Sequence, residues 1–96
     1  AKGTSADDLR AALVDAYRDA PFVRVLAKGQ IPGTQFVRGP NYTHISVFAD
    51  PIKGRAIVIS TLDNLVKGSA GQALQNFNLM HGLPEATGIE QLALFP

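Results

Sequence analysis

The feature that most constrains the fold is a pair of apolar segments joined by a short turn. Residues 44–50 carry Ile45, Val47 and Ala49 on one face, whereas residues 55–62 are apolar at nearly every position. Alternation with a period of two is typical of a half-buried strand, and a continuous apolar run of this length is typical of a central one. The sequence therefore predicts a β-hairpin whose second strand, residues 55–62, lies at the centre of a sheet.

The residues between the two strands have the chemistry of a tight turn. Asp50 can accept local hydrogen bonds, Pro51 fixes its own φ, and Gly54 tolerates a positive φ. This combination predicts a type I turn closed by a left-handed glycine.

Two amphipathic helices are expected, one before and one after the strands in the sequence. Ser5 followed by Asp8 resembles a capping box, and apolar residues then recur at three- and four-residue spacing until Pro21, which predicts about four turns. The second helix follows Lys67 and ends before Gly82 and Pro84. Its apolar stripe comprises Ala70, Ala73, Leu74, Phe77 and Met80.

The order of elements predicts an α+β fold. A short strand at residues 22–26 and a Gly- and Pro-rich loop precede the hairpin, so the plain arrangement is a three-stranded antiparallel sheet with two packed helices. Residues 92–95 are apolar and are expected to pack as an extended arm. Three strands and two helices leave one sheet edge and part of each sheet face uncovered, which suggests missing neighbours.

Composition excludes several classes of function. The 96 residues fit one domain or part of one, and the absence of cysteine excludes thiol nucleophiles, disulfides and zinc-thiolate sites in this chain. A net charge of +1 without basic clusters argues against nucleic acid as a partner. No apolar run approaches the roughly 20 residues of a membrane span, so we expect no membrane partner and a cytoplasmic location.

The two histidines have no neighbouring pattern that indicates catalysis. His44 precedes a strand and His81 closes a helix, where a cation suits the helix dipole. A structural role is favoured for both. No spacing of His, Asp and Glu fits a metal site.

The start of the second helix is unusually rich in small residues. Lys67, Gly68, Ser69 and Gly71 could form an anion site from free N–H groups and an ammonium, or they could form a tight strand-to-helix turn with Asp63 or Asn64 near the cap. Spacing alone leaves both interpretations open.

Amide side chains are concentrated on the same helix. They could form an interface or a cofactor face, although the pattern favours a solvated polar face. The four amides are Gln72, Gln75, Asn76 and Asn78. The loop at residues 38–42, which contains Arg38 and Asn41, is equally compatible with an anion site and a plain turn.

Three stretches resemble the C-terminal part of the N-acetyl-gamma-glutamyl-phosphate reductase family. They are residues 21–26 (PFVRVL), 37–42 (VRGPNY) and, most specifically, 63–80 (DNLVKGSAGQALQNFNLM), followed by Gly-Leu-Pro-Glu at residues 82–85. The resemblance covers most of the chain. It departs at Pro40 and Thr43, where the family usually reads Gly-Ser-Asn-Tyr-Cys, so any hydroxyl contact of that serine is lost here.

The resemblance implies an NADPH-dependent oxidoreductase of arginine biosynthesis that reduces an acyl phosphate with release of phosphate. In that family a catalytic cysteine and a histidine precede this part of the chain, so no catalytic residue is expected in residues 1–96. The chain would be a partial C-terminal domain, similar to that of the glyceraldehyde-phosphate dehydrogenases. It would carry substrate and dimerisation surfaces and the final helix while lacking the cofactor domain, and it would be inactive alone.

The resemblance also implies where the chain meets its partners. NADP would be bound mainly by the cofactor domain, and the hairpin would lie in the sheet that pairs subunits of a homo-oligomer. The implied cofactor-binding residues are Asn64, Lys67, Gly68, Gly71, Gln72 and Asn76. Two alternatives stay open: a self-associating structural module without catalysis, and the related aminoadipyl-phosphate reductase of lysine biosynthesis.

The small residues give this implication a physical test. Glycine lowers helix stability by roughly 1 kcal/mol relative to alanine. If Gly71 only makes room for substrate or cofactor, Gly71→Ala should preserve or improve thermal stability and weaken binding in the complete enzyme.

Overall fold

The predicted hairpin forms the larger part of a three-stranded sheet. In the computed structural model, which describes residues 3–93, strand β2 (Thr43–Ala49) pairs antiparallel with strand β3 (Ala56–Leu62). Between the strands, Asp50 Oδ1 accepts the Ile52 N–H at 2.8 Å, and Gly54 adopts a φ of 84°. The hairpin and its left-handed glycine are therefore confirmed.

The remaining strand corrects the prediction of an antiparallel sheet. Strand β1 (Val23–Val25) pairs parallel with β2, so that Val23 lies opposite Thr43. The connection, residues 26–42, includes a 3-10 turn at Thr34–Phe36 and exceeds the dozen or so residues that a parallel crossover needs. The sheet is therefore mixed, with the order β1-β2-β3.

The strand order also corrects the prediction for residues 55–62. β2 is the central strand, and β3 lies at the edge with every residue except Thr61 exposed. Side chains on both faces of β3 are about half exposed, with Ile57 at 42% and Val58 at 50%. An apolar composition predicts burial, but the elements that would provide it do not lie within residues 3–93.

Helix α1 (Ala6–Ala16) begins as predicted and ends about one turn early. Ser5 Oγ accepts the Asp8 N–H and the Asp8 carboxylate accepts the Ser5 N–H, both at 3.1 Å, which confirms the capping box. The hydrogen bond from Ser5 N–H lowers the pKa of Asp8. Pro21 disfavours a helical backbone at Ala20, and the chain forms hydrogen-bonded turns after Ala16 instead.

The core lies where α1 and the long connection meet β1 and β2. Arg10 Nε donates to the Leu26 carbonyl at 2.9 Å and fastens α1 to the end of β1. Ser46 Oγ donates to the Gln30 carbonyl at 3.0 Å and fastens the connection to β2. The buried apolar side chains are Phe22, Val37, Ile45, Val47 and Ile89.

Helix α2 (Gly71–Met80) follows directly on a π-helical turn at Val66–Ala70. Within this turn the Ala70 N–H donates to the Leu65 carbonyl at 3.3 Å, five residues back. At the other end Gly82 has a φ of 68°, and the Leu83 N–H donates to the Asn78 carbonyl at 2.8 Å. This is a Schellman motif, and it confirms the predicted end of the helix at Gly82.

The residues after α2 pack only in part. Ile89 is buried, and the Gln91 side chain donates to the Gly39 carbonyl, but Leu92 is 88% exposed. The predicted packed arm is therefore wrong at Leu92, and its last residues, Leu94 and Phe95, lie outside the described residues.

The molecule is flat and open. Its Cα radius of gyration is 15.0 Å and its extents are 44 × 32 × 18 Å. A compact chain of this length has a radius of gyration of about 12.5 Å. This open shape agrees with the exposed faces of β3.

Within residues 3–93 no helix is long and apolar enough to cross a membrane.

The hairpin turn depends on Asp50, whose side chain is only 10% exposed. Besides the Ile52 N–H, this carboxylate accepts from Arg55 Nε at 3.0 Å and Nη2 at 2.9 Å. Asp50→Ala should lower the free energy of unfolding by about 1–2 kcal/mol, because a turn hydrogen bond and a charge-assisted pair are lost together. Urea denaturation measures the change, and Lys53→Ala in the same turn is the control. Equal stability of the two variants would contradict this role.

Candidate functional site

Asp63 fixes the backbone at the start of the π-helical turn. Its Oδ2 accepts the Gly39 N–H and its Oδ1 accepts the Leu65 N–H, each at 2.8 Å. These two hydrogen bonds, with that from Gly39 the stronger, lower the pKa of the Asp63 carboxyl. Asp63 thus caps the turn, as one of the two predicted candidates, and joins it to the loop at residues 38–42.

The π-helical turn divides the candidate cofactor-binding residues between two faces. Lys67 and Gly71 lie on the inner face, with Gln75 in line with them at a spacing of four. The other four candidates lie on the outer face, also at a spacing of four, and are called here the outer stripe: Asn64, Gly68, Gln72 and Asn76. The structure therefore brings these four together and separates Lys67 and Gly71 from them.

On the inner face, Gln75 is the centre of a buried polar network. Its Oε1 accepts from Lys67 Nζ at 2.7 Å and from Asn41 Nδ2 at 3.1 Å. Its Nε2 donates to Glu85 Oε1. Gln75 is buried and Asn41 is completely buried. Water cannot reach these amides, so hydrogen bonds within the protein are needed to satisfy them.

Gly71 allows Asn41 to reach this network. A Cβ built on Gly71 would lie 2.2 Å from Asn41 Oδ1 and 2.7 Å from the Val66 carbonyl oxygen. Both distances are far shorter than van der Waals contact, so no other residue fits at position 71 without displacement. Asn41 Oδ1 itself has no hydrogen-bond partner among the described residues.

Lys67 points inward instead of toward a ligand. Its Nζ lies 5.8 Å from the centre of the Phe22 ring as well as within hydrogen-bond distance of Gln75. Burial lowers the pKa of the Lys67 ammonium, and the nearby Glu85 carboxylate opposes that shift. The interpretation of Lys67 and the helix start as an exposed anion site therefore has no geometric support, whereas the tight strand-to-helix turn is confirmed.

The outer stripe is exposed except at Gln72, which is half-buried, and its first residue, Asn64, borders a cavity. Gln72 Nε2 donates to Asn76 Oδ1 at 3.1 Å, so the two amides hold each other in place on the surface of α2. Asn64 lines a cavity of about 410 Å³ together with Arg38 and Gln35. Amide groups offer both donors and acceptors to a ligand that lies along this stripe.

The two faces of α2 are reversed relative to an ordinary surface helix. Gln75 and Asn78 are buried, and Asn78 Nδ2 donates to the carbonyls of Glu85 and Thr87, both at 3.0 Å. The predicted solvated polar face is therefore wrong for these two amides. The apolar stripe faces outward instead, with Leu74 at 49%, Phe77 at 51% and Met80 at 82% exposure.

Neither histidine joins the candidate site. His81 caps the end of α2, and its ring lies 4.2 Å from that of Phe77. His44 lies opposite Arg24 in the sheet. Burial is the main cause, and the charge of Arg24 the second cause, of a lowered pKa of His44. Within residues 3–93 no three His, Asp or Glu side chains are grouped as metal ligands.

Sequence reasoning identified the helix start but missed the residues that hold it. Gln75 and Asn41 were considered only as members of a possible amide face and a possible anion-binding loop, and Glu85 was given no role. The available signal was Gly71, because a glycine near a helix start often marks the close approach of another group. The group that approaches is the Asn41 side chain of this chain itself.

The geometry reverses the expected effect of alanine at position 71. Gly71→Ala should lower the free energy of unfolding by about 1–3 kcal/mol, because the new methyl group meets the buried Asn41 side chain and the Val66 carbonyl. Gly68→Ala is the matched control, since its Cβ would lie 3.3 Å from the ends of the Asn64 and Leu62 side chains, which are exposed. Urea denaturation distinguishes them, and a Gly71→Ala variant as stable as the control would show that Asn41 moves freely.

The Asp63 cap should make stability depend on pH. The folded pKa lies below the ordinary 3.8, so the stabilisation is fully present above that value and is lost as the pH falls through the folded pKa. Asp63→Asn, which can accept through one oxygen only, should be less stable at neutral pH. Urea midpoints of the two proteins should converge as the pH falls through the folded pKa. A gap that stays constant with pH would contradict the cap.

Comparison with known proteins adds three relatives of high identity. A protein of Arabidopsis thaliana named "Probable N-acetyl-gamma-glutamyl-phosphate reductase, chloroplastic" is 55% identical over the whole chain, which corresponds to 24% of that relative. Proteins named N-acetyl-gamma-glutamyl-phosphate reductase from Paracoccus denitrificans and Ruegeria pomeroyi are 56% and 60% identical over 92% and 88% of the chain, or 26% and 25% of the relatives. The chain thus spans about a quarter of the length of these curated relatives.

A family model matches the first part of the chain. The model described as "Semialdehyde dehydrogenase, dimerisation domain" matches residues 1–64, which include α1 and all three strands. It ends where the π-helical turn and α2 begin. Since this match covers about two thirds of the 96 residues, the chain belongs to the semialdehyde dehydrogenase family and carries its dimerisation domain.

Proposed function

We propose that the chain is the C-terminal part of an NADPH-dependent N-acetyl-gamma-glutamyl-phosphate reductase. The reaction would convert the acyl phosphate to N-acetyl-glutamate semialdehyde in arginine biosynthesis. The observation that carries the proposal is the outer stripe: Asn64, Gly68, Gln72 and Asn76. It presents amides beside a glycine within residues 63–80, the segment that carries the most specific resemblance to the reductase family.

The proposal assigns binding, and not bond-breaking, to this chain. The chain has no cysteine, so the thiol that accepts the acyl group must come from the remainder of the enzyme. The cofactor supplies the hydride for the reduction when it is bound there. The residues of this chain bind and orient: the Gln72 and Asn76 amides donate and accept hydrogen bonds, and Gly68 lies in line with them on the outer stripe.

The fit of NADP to the candidate residues is uneven. The outer stripe suits a carboxamide, because amides recognise amides through paired donors and acceptors. Lys67 and Gly71 do not suit direct contact, because both are occupied by Gln75 and Asn41 of this chain. We therefore assign cofactor contact to Asn64, Gly68, Gln72 and Asn76 and a supporting role to the other two.

The exposed apolar surfaces of α2 and β3 would each contact a different partner. The outward apolar stripe of α2, with Leu74, Phe77 and Met80, would contact the cofactor domain of the same enzyme. The faces of β3 belong to the part of the chain that the dimerisation-domain family matches, and they would pair with a second copy. Large apolar areas of this kind are typical of permanent interfaces.

The proposed function can be tested in a hybrid enzyme. In it, this chain replaces the matching segment of the Paracoccus denitrificans relative. The hybrid should oxidise NADPH when N-acetyl-gamma-glutamyl phosphate is added, and this chain alone should not. A hybrid that turns over aminoadipyl phosphate instead would favour the related enzyme, and an inactive hybrid that only self-associates would favour the structural module.

The outer stripe makes a further prediction in the active hybrid. Gln72→Leu should raise the KM for NADPH several-fold, since it removes an amide that contacts the cofactor and leaves Asn76 without its partner. Gln30→Leu is the control, because Gln30 lies in the long connection, where its Oε1 accepts the Ala27 N–H. Equal KM values for both variants would remove the stripe from the cofactor site.

A further inference from the structure

The Gln75 side chain makes hydrogen bonds to three different segments of the chain. Its amide oxygen uses both acceptor positions, one for Lys67 and one for Asn41, and its amide nitrogen reaches Glu85. One side chain therefore joins four parts of the chain: the loop at residues 38–42, the π-helical turn, α2 and the segment after α2.

Each partner in this network is held in turn. Asn41 is fully buried, and its Oδ1 occupies the space beside Gly71 where a Cβ would lie. Asn78 holds the carbonyl of Glu85 at 3.0 Å, which fixes the segment that carries the Glu85 carboxylate. Hydrogen bonds to three other segments of the chain thus hold Gln75 in place, and they oppose rotation of α2 about its own axis.

That rotation decides where the outer stripe points. Gln72 and Asn76 lie next to Gln75 on the same helix, on the adjacent face. The apolar stripe of α2 is half or more exposed, with Leu74 at 49% and Phe77 at 51%, so the inner network supplies the specific contacts of this chain that oppose rotation. A small rotation would move the stripe amides by enough to misalign their hydrogen bonds, which binding sites tolerate poorly.

We propose that Gln75 is a positioning residue for the cofactor, acting through Gln72 and Asn76 and not through contact of its own. The inference rests on the proposed function and extends it to a buried residue. A plain core amide would affect stability alone. A positioning amide affects the affinity of the folded protein for NADPH.

The test uses the hybrid enzyme and measures the NADPH Kd by nicotinamide fluorescence, beside KM, kcat and the thermal midpoint. Gln75→Leu should weaken NADPH binding about tenfold with a smaller change in kcat, while Gln30→Leu leaves both unchanged. Gln75→Glu, which preserves the side-chain volume, should also weaken binding because it places two carboxylates together at Glu85.

A double exchange supplies the rescue. Gln75→Glu combined with Glu85→Gln restores a donor facing an acceptor and keeps the net charge, so NADPH affinity should return to within about threefold of the unsubstituted hybrid. A purely structural role predicts lower thermal midpoints with an unchanged Kd in the folded fraction. Unchanged Kd in Gln75→Leu and Gln75→Glu, or no rescue by the exchange, overturns the positioning role. Failure of the proposed function is a separate result, an unsubstituted hybrid without turnover, and the Kd comparison still decides the role of Gln75.

Discussion

The close approach of Asn41 to Gly71 is the constraint on which the rest of the candidate site depends. A buried amide oxygen occupies the space where any other residue would carry its Cβ, 2.2 Å away. This contact brings Asn41 Nδ2 within 3.1 Å of Gln75, and Gln75 in turn holds Lys67 and Glu85. The absence of a side chain at position 71 thus makes room for Asn41, and that space is not open to a ligand.

The reversed faces of α2 follow from the same network. Buried amides need partners, and the loop at residues 38–42 and the segment at residues 85–87 supply them. Once these polar groups face inward, helical spacing sends Leu74, Phe77 and Met80 outward. The chain accordingly exposes apolar area on both α2 and β3. β3 lies within residues 1–64, which the dimerisation-domain model matches, and α2 lies after them.

Local chemistry could be predicted from the sequence, whereas long-range cover could not. The Ser5–Asp8 capping box, the Asp50–Gly54 turn and the end of α2 at Gly82 depend on neighbouring residues, and all three are confirmed. The parallel pairing of β1 depends on the path of residues 26–42, which no periodicity reveals. The central position expected for β3 was wrong. An apolar composition predicts that a strand is buried, but it does not show whether the covering element belongs to the same chain.

The candidate site shows the same division. The segment at residues 63–76 was identified from its glycines and amides, but its two faces could not be separated, because the π-helical turn changes the helical phase between Asp63 and Gly71. Inner and outer residues are interleaved in the sequence, with Lys67 next to Gly68 and Gly71 next to Gln72. Only the partners of each side chain distinguish a residue that holds the helix from one that a ligand can reach.

The stability of α2 and the geometry of the outer stripe are consequently linked. A helix of 10 residues is too short to be stable by itself, so α2 requires tertiary contacts. Those within the described residues are mainly polar, and each hydrogen bond contributes only about 0.5–1.5 kcal/mol net. The remaining apolar contribution has to come from whatever surface covers Leu74 and Phe77, which the proposed function identifies as the cofactor domain. In that arrangement the cofactor domain both covers the apolar stripe of α2 and carries the cofactor, while the Gln75 network of this chain holds the amides that the cofactor meets.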